Sequence, residues 1–328
     1  MDAQKIVVLG TGGTIAGTSS QAGDSVGYAA AQLGVGQLLA AIPGLQEALH
    51  EDVLEVEQVA QIDSKDMSPE VWLALAQRCA YWLEQREVRG IVITHGTDTL
   101  EETAWWLHSV LPADRMAAVP VVLTCAMRPA TALAPDGPQN LLDAVTVAQA
   151  AGAHGVVAVC AGVIHGAREV QKVHTYRLDA FSSGDAGPVG YVEAGRLRLA
   201  RSWPSAHARL QPGDVLQRLA AAPSWPRVEI VLSHAGAGGA LVDALVQQGV
   251  PGLVVAGTGN GTLHRELEQA LLRARAQGVA VVRATRCAQG VVLAKPGDLL
   301  PDSQGLSAVK ARITLLLGLL LEEAFRPA

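Results

Sequence analysis

The sequence predicts an α/β fold: a larger N-terminal domain with a mainly parallel, doubly wound sheet, and a smaller C-terminal α/β domain. Three observations carry this expectation. Apolar runs of strand length alternate with helix-length segments along most of the chain. Several of those runs end in turns rich in glycine and hydroxyl residues, as the tight strand-to-helix turns of α/β proteins require. The rhythm then dissolves into Pro- and Ala-containing sequence beyond residue 200 and restarts near residue 228. With 328 residues, 49% of them hydrophobic and 17% charged, the chain is long enough for two cores. The expected division is a domain at 1–200 with most of the functional site, a linker at 201–213 and a domain at 214–328.

Lys5–Leu9 opens as the first strand and runs into Gly10-Thr11-Gly12-Gly13-Thr14-Ile15-Ala16-Gly17. The Ser-, Gly- and Ala-rich stretch from Thr18 to Gly36 has Tyr28 as its only aromatic residue. So little apolar surface predicts a mobile loop near the end of that strand. Val53–Ile62 is a second strand, ending in Asp63-Ser64-Lys65-Asp66-Met67. Ser68-Pro69-Glu70 places a hydroxyl N-cap before a proline and starts a helix running to about Arg86. Ile91-Val92-Ile93 suits a buried parallel strand, and His95-Gly96 breaks it. A helix follows over Leu100–Leu107, with Asp98 and Glu101 spaced as a variant capping box.

Val119–Thr124, Gly155–Cys160 and Gly162–His165 are further strands, and Asp136-Gly137-Pro138 starts a helix to about Ala150. Gly190–Ala200 alternates around Ala194-Gly195 as a β-hairpin. In the second domain, strands at Val228–Leu232, Leu253–Ala256 and Val279–Ala284 alternate with helices at Gly238–Gln248, Thr262–Gln277 and about Leu306–Phe325. A further glycine-rich turn, Gly257-Thr258-Gly259-Asn260-Gly261, lies between two of them.

The net charge of −6, with no basic run or interleaved aromatics, argues against a nucleic-acid partner. Neither the short apolar run after MDAQK nor the tail segment Ile313–Leu321 has the length of a signal-peptide core or a membrane span. Cys79, Cys125, Cys160 and Cys287 have no CxxC spacing and read as free thiols in a reducing compartment. A cytoplasmic protein with no membrane partner is expected. The nine histidines have no metal-ligand spacing, so neither a metal nor another cofactor is expected.

Parallel α/β sheets bind ligands outside the carboxyl ends of their strands, which selects the turns at Gly10–Thr14, Asp63–Asp66, Thr94–Asp98 and Gly257–Gly261. A dinucleotide fingerprint at GTGGTIAG fails in detail. Gly10, Gly12 and Gly13 are crowded, Gly17 comes one residue late, and a loop rather than a helix follows. Nucleophilic catalysis by threonine is the other reading. A threonine hydroxyl attacks only when one group accepts its proton and another stabilises the oxyanion. Thr14 lies among glycines whose N–H groups can approach a substrate closely. Thr97, between Gly96 and Asp98, sits at a strand–turn–helix junction whose loose N–H groups suit an anion, and it needs a base from elsewhere.

TGGTIAG at Thr11–Gly17 and THGTDTLEETA at Thr94–Ala104 resemble the two signatures of the bacterial-type L-asparaginase family. The resemblance continues through DSKDM at Asp63–Met67, AMRPAT at Ala126–Thr131, DGPQNL at Asp136–Leu141 and GNG at Gly259–Gly261, and covers essentially the whole chain. It implies hydrolysis of the side-chain amide of L-asparagine to L-aspartate and ammonia, with L-glutamine as a minor substrate. Thr14 matches the family's flexible-loop nucleophile, which forms an acyl-enzyme, and Tyr28 the loop tyrosine that closes over the site and hydrogen-bonds it. Thr97, Lys172 and Asp98 match a second Thr–Lys–Asp triad. Ser64 matches the residue that holds the substrate's α-carboxylate, and Asp98 the one that pairs with its α-ammonium. Lys65, Gly13 and Gly96 fall at positions against the substrate. Asn260 matches a residue lent by the neighbouring subunit's smaller domain, in a family that is typically a homotetramer built as a dimer of intimate dimers.

A deprotonated Lys172 could take a proton from Thr97 or from the deacylating water. That requires its pKa to fall well below ~10.4 through burial, and Asp98 opposes the fall. Read without the resemblance, Lys172 is a surface lysine, Tyr28 a loop aromatic and Ser64 a turn hydroxyl. His95 has no family role and reads as a hydrogen-bonded strand-end histidine. Three departures stand out. Lys65 replaces the usual Gln or Glu beside the substrate's ammonium, where a cation should repel it. Cys125 replaces a common glycine. The stretch 286–307 is short, with Asp298 and Asp302 as the candidates for an acidic residue reaching a neighbour's site. Two other functions remain open. A same-fold enzyme acting on another amide, such as amidotransferase chemistry on tRNA-linked Glu, lacks a basic run and an RNA-binding domain here. A non-catalytic amino-acid or nucleotide binding module need not keep Thr14, Thr97 and Lys172 together.

Overall fold

The computed structural model describes residues 4–21, 23–205 and 215–321, and the chain divides into two compact units, Met1–Leu216 and Gln217–Ala328. The first unit opens with β1 (Lys5–Gly12), α1 (Val35–Ala40), α2 (Leu45–Leu49), β2 (Val53–Ile62), α3 (Pro69–Leu83), β3 (Val88–Thr94) and α4 (Leu100–Val110). It continues with α5 (Ala113–Met116), β4 (Val121–Thr124), α6 (Gly137–Gln149), β5 (Val156–Cys160), β6 (Val163–Gly166), β7 (Gln171–Lys172), β8 (Phe181–Ser182), β9 (Gly190–Glu193) and β10 (Arg196–Leu199). Helix α7 (Val215–Ala221) begins at the division. The second unit follows with β11 (Val228–Leu232), α8 (Ala240–Gln247), β12 (Gly252–Gly257), α9 (Arg265–Ala276), β13 (Ala280–Thr285) and α10 (Ala308–Leu320).

Eight strands of the first unit form one sheet in the order β10-β9-β6-β5-β4-β3-β1-β2. The pairs from β5 to β2 are all parallel, and β6, β9 and β10 extend the sheet antiparallel. Parallel strands are covered on both faces and read as continuous apolar runs rather than alternating ones. Accordingly Ile6, Val7, Val8 and Leu9 are all fully buried, as are Ile91, Val92 and Ile93 and the apolar residues of β4. Each such side chain contributes about 1.5–3 kcal/mol by leaving water. From β1 the chain steps to β2 on one side and then to β3 on the other, so the order reverses between β1 and β3 and opens a crevice at their carboxyl ends.

Behind that crevice, α3 and α4 are fastened together. Trp72 and Trp106 stack with centroids 5.3 Å apart, Trp72 Nε1 donates to Thr103 Oγ1 at 2.9 Å, and Trp106 Nε1 donates to the Trp72 carbonyl. From Thr103 to Val110 every residue of α4 is buried, which makes the helix after β3 a rigid support. Ser68 caps α3 as its sequence predicts, accepting from Val71 N, with Pro69 in the first turn.

Several boundaries differ from expectation. Helix α1 starts at Val35, inside the stretch expected to be loop, because Val35, Leu38 and Leu39 find a buried face. Helix α3 ends at Leu83 rather than Arg86. The N-cap of α4 is Thr99 and carries no side-chain cap bond, so Asp98 is not the cap. At its ends the stretch between β1 and α1 packs Ile15, Ala16 and Leu33 into a small apolar cluster with Leu38 and Ala126, and backbone hydrogen bonds tie the rest of it. Thr18 and Ala29 pair as an antiparallel bridge, and Gln32 N and Leu33 N both donate to the Ala16 carbonyl.

In the second unit β11, β12 and β13 form a parallel three-stranded sheet, and its core includes Val231, Leu253, Val255, Leu267 and Leu271. The expected linker lies outside the described residues from 206 to 213; α10 ends at Leu320, and residues 322–325 of the expected last helix lie outside the described residues. Among the described residues no helix is long and apolar enough to cross a membrane.

Candidate active site

Strands β1, β2 and β3 are neighbours, so the turns at their carboxyl ends adjoin. Gly13 N donates to the Ile62 carbonyl at 2.9 Å, tying the first turn to the second. Gly13 has φ +81°, and a Cβ there would lie 2.3 Å from Gly96 Cα. A Cβ on Gly96 would lie 2.4 Å from Ser64 Oγ. The two glycines are therefore dictated by the close approach of their own backbones and of the Ser64 side chain. Ser64 is buried, its Oγ accepts from Asp98 N at 3.2 Å, and its carbonyl accepts from Thr99 Oγ1 at 2.8 Å. Thus the turns holding Gly13, Ser64 and Gly96 form one interlocked cluster.

Thr14 begins a short 3-10 turn after β1 and is buried, with its hydroxyl 2.6 Å from the Tyr28 hydroxyl. Tyr28 reaches it because Ala29 pairs with Thr18 and Ala31 N donates to the Gly13 carbonyl, closing the loop over the turn. Thr97 stands at the end of β3, also buried. Lys172, on the short strand β7, places Nζ 2.8 Å from Thr97 Oγ1 and 2.6 Å from Asp98 Oδ1. The Lys172 side chain is only 18% exposed against 52% for Asp98, so the carboxylate is open to a ligand where the lysine is not. As an ammonium, Nζ donates to both neighbours; with one proton removed, the same atom accepts from the Thr97 hydroxyl.

Lys65 does not stand as a free cation. Its Nζ lies 2.5 Å from Asp66 Oδ2 and 3.5 Å from Asp63 Oδ2, and the hydrogen bond to Asp66 raises its proton affinity above the usual lysine value. The Lys65 ammonium thus stands between two carboxylates that offset its charge locally. Asn260, in the second unit, is exposed and grips its own loop: Nδ2 donates to the Leu293 carbonyl at 2.9 Å and Oδ1 accepts from Leu293 N at 2.7 Å. Asp298 forms a two-armed pair with Arg283, at 2.7 and 3.2 Å. Asp302 accepts from Gln304 N. Both aspartates are thus engaged within their own unit.

Sequence reasoning passed over the supports of the site. The Asp136 carboxylate accepts from Met127 N and Arg128 N, each at 2.9 Å, and from Asn140 Nδ2. Asn140 in turn bonds the Cys125 carbonyl and Ala161 N, locking the turn after β4. The signal was present in the four-residue spacing of Asp136 and Asn140 at a helix start. Cys125, in place of a glycine, packs its Sγ 3.4 Å from Cys160 Sγ, and the neighbouring thiol and burial raise its proton affinity. His95 is fully buried, with Nδ1 2.7 Å from the Gly96 carbonyl, and burial pushes its pKa down to about 4.

The family model for the N-terminal domain of asparaginase matches residues 5–205, and the model for the glutaminase/asparaginase C-terminal domain matches residues 227–325. The chain is 37% identical to L-asparaginase 2 of Escherichia coli strain K12, over 96% of this chain and 88% of that one. It is 35% identical to the glutaminase-asparaginase of Pseudomonas fluorescens biotype A, over 96% and 86% of the two chains. Its fold superposes on the crystal structure of a probable cytoplasmic L-asparaginase from Campylobacter jejuni with a TM-score of 0.89 and 36% identity, covering 99% of this chain and 97% of that chain. With both halves matched by the family's models, the chain belongs to the asparaginase family.

Proposed function

We propose that the protein is an L-asparaginase that hydrolyses the side-chain amide of L-asparagine to L-aspartate and ammonia, with L-glutamine as a minor substrate. The observation that carries this reading is the pairing of two buried threonine hydroxyls at adjoining strand ends, one held by Tyr28 at 2.6 Å and the other by Lys172 at 2.8 Å. Ser64 receives the substrate's α-carboxylate and Asp98 its α-ammonium, with Gly13 and Gly96 bordering the ligand where their close approach to each other and to Ser64 sets the floor of the site. Lys65, neutralised by Asp63 and Asp66, lines the approach without opposing the ammonium. Thr14 Oγ1 then attacks the amide carbon. Tyr28 relays the hydroxyl proton to the departing nitrogen, which leaves as ammonia, and an ester joins Thr14 to the aspartyl group. Water attacks that ester from the side of Thr97 and Lys172, and its proton returns to the Thr14 oxygen as L-aspartate is released.

The reading extends to a cytoplasmic homotetramer whose larger domain, ending before a linker at 201–213, carries most of each site. Asn260 spends one N–H and one lone pair on Leu293, which leaves one of each for the site of a second copy. The adjacent thiols of Cys125 and Cys160 are unlinked, as a reducing compartment favours. Ammonia release from L-asparagine by the purified protein tests the activity, and light scattering tests the assembly. Thr14→Ala and Thr97→Val should each lower kcat by about 10³-fold or more. A wild type that releases no ammonia, or two variants that keep full activity, would refute the assignment.

A further inference from the structure

Lys172 does not stand on the main sheet. It ends β7, a strand of two residues whose partner is β8, with Lys172 opposite Phe181. The chain leaves the main sheet after β6 and rejoins it at β9, where Gly190 pairs with Ile164. A two-stranded ribbon of this length has little stability of its own and takes its position from what it packs against. Part of that support is apolar: Val170, Ala180 and Phe181 are buried. Apolar burial is non-directional, so it does not by itself fix where a strand lies along its support.

A directional hold comes from Ser183, the residue after β8. Its Oγ lies 2.8 Å from His165 Nδ1, and His165 belongs to β6, where it pairs with Ala158 of the main sheet. Both side chains are buried. The neighbouring Ser182 turns its hydroxyl to Gly184 N instead. A buried polar pair keeps its geometry because parting it costs a bond that water cannot replace. On the other limb, between β6 and β7, the Arg168 guanidinium lies 5.8 Å from the centre of the Trp105 ring on α4, the helix that follows Thr97. The incoming limb of the ribbon is thus held against α4 and the outgoing limb against β6, with Lys172 between them.

We infer that the His165–Ser183 bond sets the ribbon that carries Lys172, and that His165 is a positioning residue for the deacylation half of the reaction. Lys172 Nζ meets Thr97 Oγ1 at 2.8 Å and Asp98 Oδ1 at 2.6 Å, whereas Thr14 and Tyr28 meet each other on a different segment. Loosening the ribbon therefore moves the groups on the water side of the acyl-enzyme and leaves the attacking pair in place. The inference rests on the asparaginase reading of the site, in which water approaches the ester from Thr97 and Lys172.

Substitutions in the full-length protein test this. Ser183→Ala and His165→Leu each remove the bond, whereas His165→Asn returns an amide that both donates and accepts near the position of Nδ1. Each of the first two should lower kcat on L-asparagine by about 10- to 10²-fold, the scale of loss when a reacting group shifts by up to about 1 Å. The double variant should be no slower than the slower of the two, since the same bond is lost in all three. His165→Asn should recover most of the loss. The readout that a general weakening of the fold would not move is the acyl-enzyme. Rapid quenching followed by intact mass should find a larger aspartyl-acylated fraction in Ser183→Ala and His165→Leu than in wild type. The inference is overturned if Ser183→Ala keeps the wild-type kcat, if the two losses multiply in the double variant, or if turnover falls with no rise in the acylated fraction. Should His165→Leu fail to fold, Ser183→Ala, which removes a single oxygen, decides by the same measurements. Any of these failures with an active wild type overturns the inference alone, whereas a wild type that releases no ammonia overturns the asparaginase reading and the inference with it.

Discussion

Gly96→Ala adds one methyl group where three turns meet, and the backbone decides what it strikes. The new Cβ would lie 2.4 Å from Ser64 Oγ, 2.7 Å from Ser64 Cβ and 3.1 Å from Gly13 Cα. Ordinary contact begins near ~3.5 Å, so Ser64 Oγ must retreat by about 1 Å. Its bond from Asp98 N is already 3.2 Å long and does not survive such a retreat. Overpacking of this kind costs about 1–3 kcal/mol of stability, while about 1 Å of displacement in a substrate-holding group costs about 10²-fold in rate. Ser64 is assigned to binding rather than to reaction, so most of the loss should appear in KM. Initial rates of ammonia release and calorimetry on the same preparations measure both effects. Gly36→Ala is the control: it lies inside α1 with nothing within 4 Å of a new Cβ, and should stabilise the fold by about 0.5–1 kcal/mol without touching activity. If Gly96→Ala keeps kcat/KM within about threefold of wild type, or loses kcat at constant KM, the argument that Gly96 makes room for Ser64 fails.

Two further perturbations follow from the same contacts. Tyr28→Phe removes only the hydroxyl that meets Thr14, so kcat should fall by about 10²-fold while stability changes by no more than about 1 kcal/mol; unchanged turnover would exclude Tyr28 from the proton path. In the second unit, the Arg283 guanidinium and the Lys295 N–H hold the Asp298 carboxyl below the usual carboxylate range. A folded-state pKa below the unfolded one stabilises the native state above the unfolded value, near ~3.9, and that contribution is lost as pH falls through the folded value. Asp298→Asn should therefore lower the urea midpoint at neutral pH, with the gap to wild type closing below about pH 4; a gap independent of pH would contradict the ion-pair account.

What could be read from the sequence was what neighbouring residues decide. The runs in β1, β3 and β4 are apolar at every position because both faces of those strands are covered, and that pattern survives without knowledge of the partners. Ser68-Pro69 marks its helix start by chemistry confined to one turn. Helices α1 and α2, six and five residues long, are too short to display a period, and only their burial makes them helices. Asp98 shows why local signals fail at a site. Its spacing to Glu101 is that of a cap, but Lys172, from far along the chain, takes the carboxylate, and Thr99 becomes the N-cap. Lys65 is the opposite case: the carboxylates that neutralise it, Asp63 and Asp66, are two residues before it and one after, and were open to inspection. The contact of His95 with the next residue's carbonyl leaves no trace in any sequence period.

The reversal of strand order between β1 and β3 explains why the site has two unlike halves. The sheet alone supplies positions at two adjoining strand ends, and the groups that activate each threonine must come from elsewhere. For Thr97 the partner is Lys172 on β7, and the residue itself precedes a helix buried on every side from Thr103 onward. That half stands on the core, so it can hold its geometry with the site empty or full. For Thr14 the partner is Tyr28, carried on a loop fastened by a few backbone bonds and contributing little apolar surface. Segments with few buried apolar contacts open at low cost. A substrate can therefore enter by lifting Tyr28 from Thr14 without disturbing Thr97, Lys172 or Asp98. The division follows from topology: the strand that leads into a covered helix carries the half set on the core, and the strand that leads into a loop carries the half held by fewer buried contacts.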